Sequence, residues 1–274
     1  MLRPIPSGRF RCGQRGFSMV ELSIAMLIAL FLLGGLITLV MGTRRSSSTQ
    51  GALEQLQDNQ RIAMTLITNI VQKAGYFPDP VNQTLGISFL PEAALAGYAL
   101  SAGQALGGTY QAAAPGDTFL VRFFAPANDT SANPVIMNCA GQSNTTGSTN
   151  VWYTNAFAIG TVNGTSWLQC QVRTSGAGTP LVINLIPNVT QISVLYGVAS
   201  NLAGDDYSVV QYLNASQLTP LTWPNVTVVK VSLTFQLPAY GTTGGQMANC
   251  VTTNPCTSII TRVIPIMSRT GVDT

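Results

Sequence analysis

The stretch that decides the fold lies near the start of the chain, at residues 16–42: GFSMVELSIAMLIALFLLGGLITLVMG. From Leu22 to Gly42 no charged residue occurs. At about 1.5 Å rise per residue, a helix over that run spans roughly 30 Å, the hydrocarbon thickness of a bilayer. Arg3, Arg9, Arg11 and Arg15 precede it with no acid among them, and Arg44 and Arg45 follow it. That excess of positive charge sets the leader on the cytoplasmic side. A secretory signal peptide has a shorter apolar region closed by a small-residue cleavage site. Here the run is too long, no Ala-x-Ala closes it, and the small residue, Gly16, comes before it. Glu21 stands at the edge of the run, either as an interfacial charge or as a carboxylate held for a cationic partner.

Composition narrows the rest. Charged residues make up 8% of the 274, against about 25% in an ordinary globular chain. Apolar residues stand at 46%, so this is not the disordered signature of high charge and low hydrophobicity. The 13 Lys and Arg are spread along the chain and form no phosphate-neutralising stripe, which argues against a nucleic-acid partner. His is absent, which removes Ser-His-Asp and Cys-His catalysis and His-ligated zinc. No P-loop, dinucleotide fingerprint or nucleophile elbow is present, and no cofactor is expected.

After the apolar run, Leu53, Leu56, Ala63, Ile67, Ile70, Val71 and Ala74 recur at helical spacing. Glu54, Asp58 and Arg61 fall on the other side, at steps that favour ion pairing. Gly75 followed by Pro78 is a stop signal. The expectation is one long helix, with Gly34-Gly35 and the serines at 46–48 as weak points. Two helices joined by a linker at 42–50 are the alternative. Residues 81–116 read as an Ala- and Gly-rich loop with a short helix at 91–96. Strands are expected at 118–124, 151–159, 167–173, 181–186, 191–198, 226–236 and 258–267, all rich in Val, Ile, Thr, Tyr and Phe. In the strand at 226–236, Val229, Val231, Leu233 and Phe235 alternate with Val228, Lys230, Ser232 and Thr234, and the first set should face the core. Trp152, Trp167 and Trp223 read as packing residues rather than an exposed binding patch.

Of the 5 cysteines, Cys12 lies in the leader. Cys139, Cys170, Cys250 and Cys256 remain, and in an exported domain an even number suggests disulfides. Three connectivities are open. Locality favours Cys250–Cys256 across a turn and Cys139–Cys170 between adjacent strands, worth roughly 2 and 3–4 kcal/mol by chain entropy. Irregular spacing without a Cys-x2-Cys pair argues against zinc.

The segment Arg15-Gly16-Phe17-Ser18-Met19-Val20-Glu21-Leu22 resembles the class III signal of type IV pilins and pseudopilins. The resemblance implies that a prepilin peptidase cuts between Gly16 and Phe17 on the cytoplasmic face and methylates Phe17, leaving Glu21 as the family's acidic position. Further along, Leu53-x-x-Leu56-Gln57-Asp58-Asn59-x-Arg61, Ala74-Gly75-Tyr76-Phe77, Gly116-Asp117-x-Phe119-Leu120-Val121-Arg122, the Asn138-Cys139-Ala140-Gly141 turn, Leu168-x-Cys170 and Val189-x-x-Ile192-x-Val194-Leu195-Tyr196-Gly197 resemble the larger minor pilins called PilW. The C-terminal Arg262-Val263 to Ser268-Arg269 segment is similar too. The corresponding GspJ-like pseudopilin of type II secretion is the second reading. A membrane-anchored hydrolase or binding protein is the third. Relatives often carry a calcium-suggestive acidic turn where this chain has Asp205-Asp206, but the alternating oxygen donors of a calcium loop are missing here, so a solvated turn is the better reading.

Together these readings give an α+β pilin-like fold. It divides into a leader at 1–16, a transmembrane assembly half of the helix at 17–42, an amphipathic half at 43–76, and a β-rich, mostly antiparallel head at 77–274. The resemblance implies an inner-membrane precursor with a periplasmic head that later joins the pilus. It also implies no catalysis by the chain, and as partners the prepilin peptidase, other minor pilins, the major pilin and a large tip adhesin.

Overall fold

The computed structural model of the protein describes residues 16, 18–78, 89–127, 135–145, 147–200, 207–237 and 256–269. Its contacts divide it into two compact units, Met1–Ala52 and Leu53–Thr274. One helix, α1 (Met19–Gln72), runs from the first into the second. It continues through Gly34-Gly35 and through residues 42–50, so the two-helix alternative is not what forms.

In the first unit, every large apolar side chain of α1 from Met19 to Met41 is exposed; Phe31 is 85% so. The polar side chains in the same stretch bond back onto the helix. Ser23 Oγ donates to the carbonyls of Met19 and Val20, Thr38 Oγ1 to Gly35, and Thr43 Oγ1 to Val40. Self-satisfied backbone and hydroxyls are the condition for entering hydrocarbon.

In the second unit, the apolar stripe does bury. Ala63, Met64, Ile67, Ile70, Val71 and Ala74 lie in the main core, while Glu54, Asp58 and Arg61 stay in solvent. Arg61 pairs with Asp58 at 2.8 Å. Gly75, at φ +76, turns the chain off the helix, and its N–H donates to the Arg122 carbonyl.

Two antiparallel sheets hold that core. The first is a meander in chain order, β3 (Leu106–Thr109), β4 (Thr118–Ala125), β5 (Val151–Val162), β6 (Thr165–Thr174) and β7 (Ala177–Pro187). The second has the order β11-β10-β8-β9, from β8 (Val189–Ala199), β9 (Val209–Leu213), β10 (Val226–Gln236) and β11 (Thr257–Pro265). In β10, Val229, Val231, Leu233 and Phe235 are all buried, as the alternation requires.

Residues 89–105 depart from expectation. Instead of a loop with a helix at 91–96, they form the hairpin β1 (Glu92–Leu95) and β2 (Tyr98–Leu100). Ala96 and Gly97 both take positive φ at its turn, +46° and +85°, the arrangement whose twist suits a two-residue hairpin. Tertiary burial overrides the helical preference of Glu-Ala-Ala-Leu, because Glu92 and Leu95 both point into the protein. This segment covers the second face of the meander. Phe119, Val121 and Phe123 of β4 enter the main core, while Leu120 packs with Leu95 and Leu100, and Phe124 packs with Phe89 and Ala105. Both faces of β4 are therefore buried. β3 and β9 are further strands that the sequence pattern did not reveal.

A backbone junction joins the two sheets. The Gly116 backbone bridges Ile192 of β8, and the Asp117 N–H donates to the Ile192 carbonyl at 2.9 Å. Asp117 Oδ2 accepts the Val194 N–H at 2.7 Å and Oδ1 accepts the Gln111 N–H at 2.8 Å. Gly116 has φ +88°, and a Cβ there would run into the Ile192 carbonyl oxygen. Gly116→Ala therefore meets both a left-handed backbone and a backbone clash. The expected loss is about 3 kcal/mol, measured by urea denaturation of the full-length protein in detergent, with Gly141→Ala as a comparison in open space.

Candidate functional site

Gly16 is exposed and lies outside the helix. Phe17 is outside the described residues. Ser18 begins the helix: its Oγ accepts the Glu21 N–H at 3.3 Å, and its carbonyl accepts the Leu22 N–H at 3.1 Å. This is the helix-capping use of serine, with an acidic residue in the first turn where the helix dipole favours it. Ser18-x-x-Glu21 is itself a start signal that the sequence carries. The residues around the expected cleavage bond thus stand just ahead of an exposed apolar helix that only lipid or other helices can cover.

Cys139 and Cys170 are disulfide-bonded, with Cα atoms 6.1 Å apart. Cys139 sits in the turn expected at Asn138–Gly141 and Cys170 on β6, so the bridge ties a turn to a strand rather than two adjacent strands, the neighbours of β6 being β5 and β7. The turn is fixed by polar contacts. Asn138 Oδ1 accepts the N–H groups of Ala140 and Gln142, and Asn155 Oδ1 accepts the Cys139 N–H at 2.8 Å. Cys256 is also disulfide-bonded, while Cys250 lies outside the described residues. So do Asp205 and Asp206. Trp223 is buried against Tyr196 and Tyr98, and Trp152 and Trp167 are half-buried.

The head also contains a buried charged cluster that reading the sequence did not bring together. Arg122 of β4 is fully buried. Its Nε and Nη2 donate to the Gln104 carbonyl, Nη1 to Leu90 at 2.6 Å, and Nη2 also to Ser101 at 2.9 Å. Its guanidinium lies over the Phe89 ring, 4.8 Å from the centroid. Glu92 supplies the countercharge, 3.8 Å from Arg122 and 3.2 Å from Arg173 Nη1. Thr154 Oγ1 donates to the other carboxylate oxygen, and Arg173 also donates to the Ala93 and Ala94 carbonyls. Burial lowers the Arg122 pKa to about 10, and Glu92 opposes that shift, so the group remains a cation at neutral pH. The Arg122 donors are spent on the backbone of residues 90–104, and Arg173 Nε is left buried without a partner; the cluster is a fastener for the hairpin layer. The signal in the sequence was a lone Arg inside the apolar run of β4. Similarly, Tyr196 is held well above its usual pKa by burial, with Asp117 and Tyr98 adding to the effect; it stays neutral and donates to the Gly107 carbonyl.

The comparisons with known proteins agree with this architecture. The prokaryotic N-terminal methylation motif matches residues 11–37. PilW, described as Type IV Pilus-assembly protein W, matches residues 156–253, which span β5 through β10. No curated protein matches the chain. A long N-terminal helix carrying antiparallel sheets, headed by a methylation motif, is a type IV pilin-like architecture. Within that class this chain is PilW-like, a minor pilin involved in type IV pilus assembly. The motif and the apolar helix fit a single-pass inner-membrane protein that later enters the pilus. Such pilins are generally structural rather than catalytic, and they interact with other pilus components and with the prepilin peptidase.

In the buried cluster, Glu92→Gln would leave two guanidiniums without a countercharge. The expected destabilisation is about 3–5 kcal/mol, read from the urea midpoint of the full-length protein. Thr154→Ala, which removes a single hydrogen bond, should cost about 1 kcal/mol.

Proposed function

We propose that the protein primes pilus assembly from the inner membrane and sits with other minor pilins at the pilus tip, beneath a large adhesin, without doing chemistry of its own. The single observation that carries this reading is the exposed apolar half of α1 behind a prepilin-type signal. Such a helix is an assembly element: it leaves lipid only for a bundle of like helices. In this reading residues 1–16 are the cleaved leader, 17–42 the assembly half of α1, 43–76 its amphipathic half, and 77–274 the head. The peptidase cuts between Gly16 and Phe17 and methylates the new amine. N-terminal mass spectrometry of membrane fractions should then show a chain starting at methylated Phe17; an intact Met1 in peptidase-positive cells would overturn this.

Cleavage creates a cation four residues before Glu21. A carboxylate at the edge of a membrane helix needs such a partner. In a bundle of parallel helices the amine of a neighbouring subunit can supply it, where excluded water strengthens the attraction. That contact would also set the axial register, much as a buried polar residue does in a coiled coil. Glu21→Ala and Glu21→Gln are therefore expected to leave membrane insertion and the head intact while lowering co-purification with the other minor pilins about tenfold, the equivalent of one charge-assisted contact. Normal complexes and normal piliation with both substitutions would remove Glu21 from the assembly mechanism.

A further inference from the structure

Every sheet with free edges risks pairing with another chain, and most edges are blunted by short length, bulges, proline or charge. Among the described residues the two larger sheets have four edges, and three of them follow that rule. β3 has four residues and lies beside β2, with Gly107 against the Tyr98 ring. β9 has five residues and a register shift. β7 is broken by two register shifts and carries Pro180 and Pro187. β11 is different. It pairs with β10 from Thr257 to Pro265 in one unbroken register, and it ends the strand order of its sheet.

The hydrogen bonds at its two ends fix which backbone groups are free. The Leu237 N–H donates to the Cys256 carbonyl, and the Ile266 N–H donates to the Thr227 carbonyl. Bonded and non-bonded pairs alternate along an antiparallel ladder. The even-numbered residues of β11 are therefore bonded to β10, and Thr257, Ile259, Thr261 and Val263 turn their N–H and C=O groups to the open side. Pro265, next in that series, has no N–H and closes it. The side chains of these odd residues lie on the outer face. Thr261 meets Ser232 across the pair at 2.8 Å, Ile259 is 67% exposed and Val263 50%. Ser258 and Arg262 point the other way, to Gln60 and Thr68 of α1. Lys230 is the one charged side chain on the outer face of this sheet among the described residues.

We propose that β11 is a strand-addition site, where an extended, uncharged segment from the head of another minor pilin pairs with Thr257–Val263. The inference rests on the minor-pilin reading and specifies the surface through which that assembly would proceed. The free edge demands a strand, since only a strand offers donors and acceptors in matching alternation. Ile259, Thr261 and Val263 demand aliphatic or hydroxyl neighbours, because a charge set beside them would lose water without gaining a countercharge.

The test uses full-length processed protein in detergent, alone and co-purified with the other minor pilins expressed beside it, followed by amide hydrogen exchange. Ile259, Thr261 and Val263 should exchange freely in the protein alone and at least about a hundredfold more slowly in the complex. Ile260 and Ile264 should be protected in both. Val263→Pro, which removes an outward N–H at a residue whose half-exposed side chain has no hydrogen bond of its own, and Ile259→Lys should each lower complex yield at least about tenfold, with the urea midpoint of the isolated chain unchanged. Odd-residue amides that stay fast in the complex, or that are already slow in the chain alone, would overturn the proposal, as would normal yield with both variants. If the wild-type chain captures no minor pilin at all, the failure lies with the assembly reading itself.

Discussion

The head depends on one burial event, the packing of Ala63, Met64, Ile67, Ile70, Val71 and Ala74 of α1 into the core formed with the sheets. A fully buried large aliphatic side chain contributes about 1.5–3 kcal/mol, so this stripe alone is comparable in gross terms to the net stability of a domain. The end of α1 is therefore part of the head and folds with it. Among the described residues, the large apolar side chains of the other half of the same helix, Met19 to Met41, all stay exposed. Its backbone and hydroxyls are satisfied, but its apolar surface is not. The two halves obey one rule with different solvents: one stripe is covered by strands, and the other requires lipid or helices of other subunits.

A second constraint acts on the far side of the meander. Residues 89–105 pack Phe89, Leu95, Leu100 and Ala105 against β4, and the Arg122 guanidinium adds a polar clasp by collecting the carbonyls of Leu90, Ser101 and Gln104. Removing a cation from water costs several kcal/mol. Bonds to carbonyls and the Glu92 carboxylate offset that loss only when the loop adopts this one path. The result is conformational specificity more than added stability. The junction at Gly116 and Asp117 has the same logic, since a residue without Cβ lets two backbones meet and a carboxylate completes their unpaired N–H groups.

Much of the fold was legible because its elements are long and periodic. β4, β5, β6, β7, β8, β10 and β11 carry β-branched and aromatic residues between turn signals, and α1 carries its stripe at helical spacing. β1 and β2 were misread because Glu-Ala-Ala-Leu has no strand preference and owes its form to Glu92 and Leu95 being drawn inward. The Asn163-Gly164 turn between β5 and β6, with both residues at positive φ, is a hairpin signal that sequence reading can use. The turn at Asn138–Gly141 was legible, but the bridge from it to β6 was read as joining adjacent strands, because pairing by proximity along the chain takes no account of a turn folding back over a sheet.

By itself, the sequence determined the membrane half of α1, the residues expected to be processed, the amphipathic stripe and the dominant strands. Each of these follows from local period, charge or length, which a chain carries regardless of its partners in space. Tertiary structure alone decided the covered second face of the meander, the meeting of Arg122, Glu92 and Arg173, the junction at Gly116, and which edge of the two larger sheets remained open. Those depend on register and on contacts between residues far apart in the chain, where a shift of one position reverses which groups face inward.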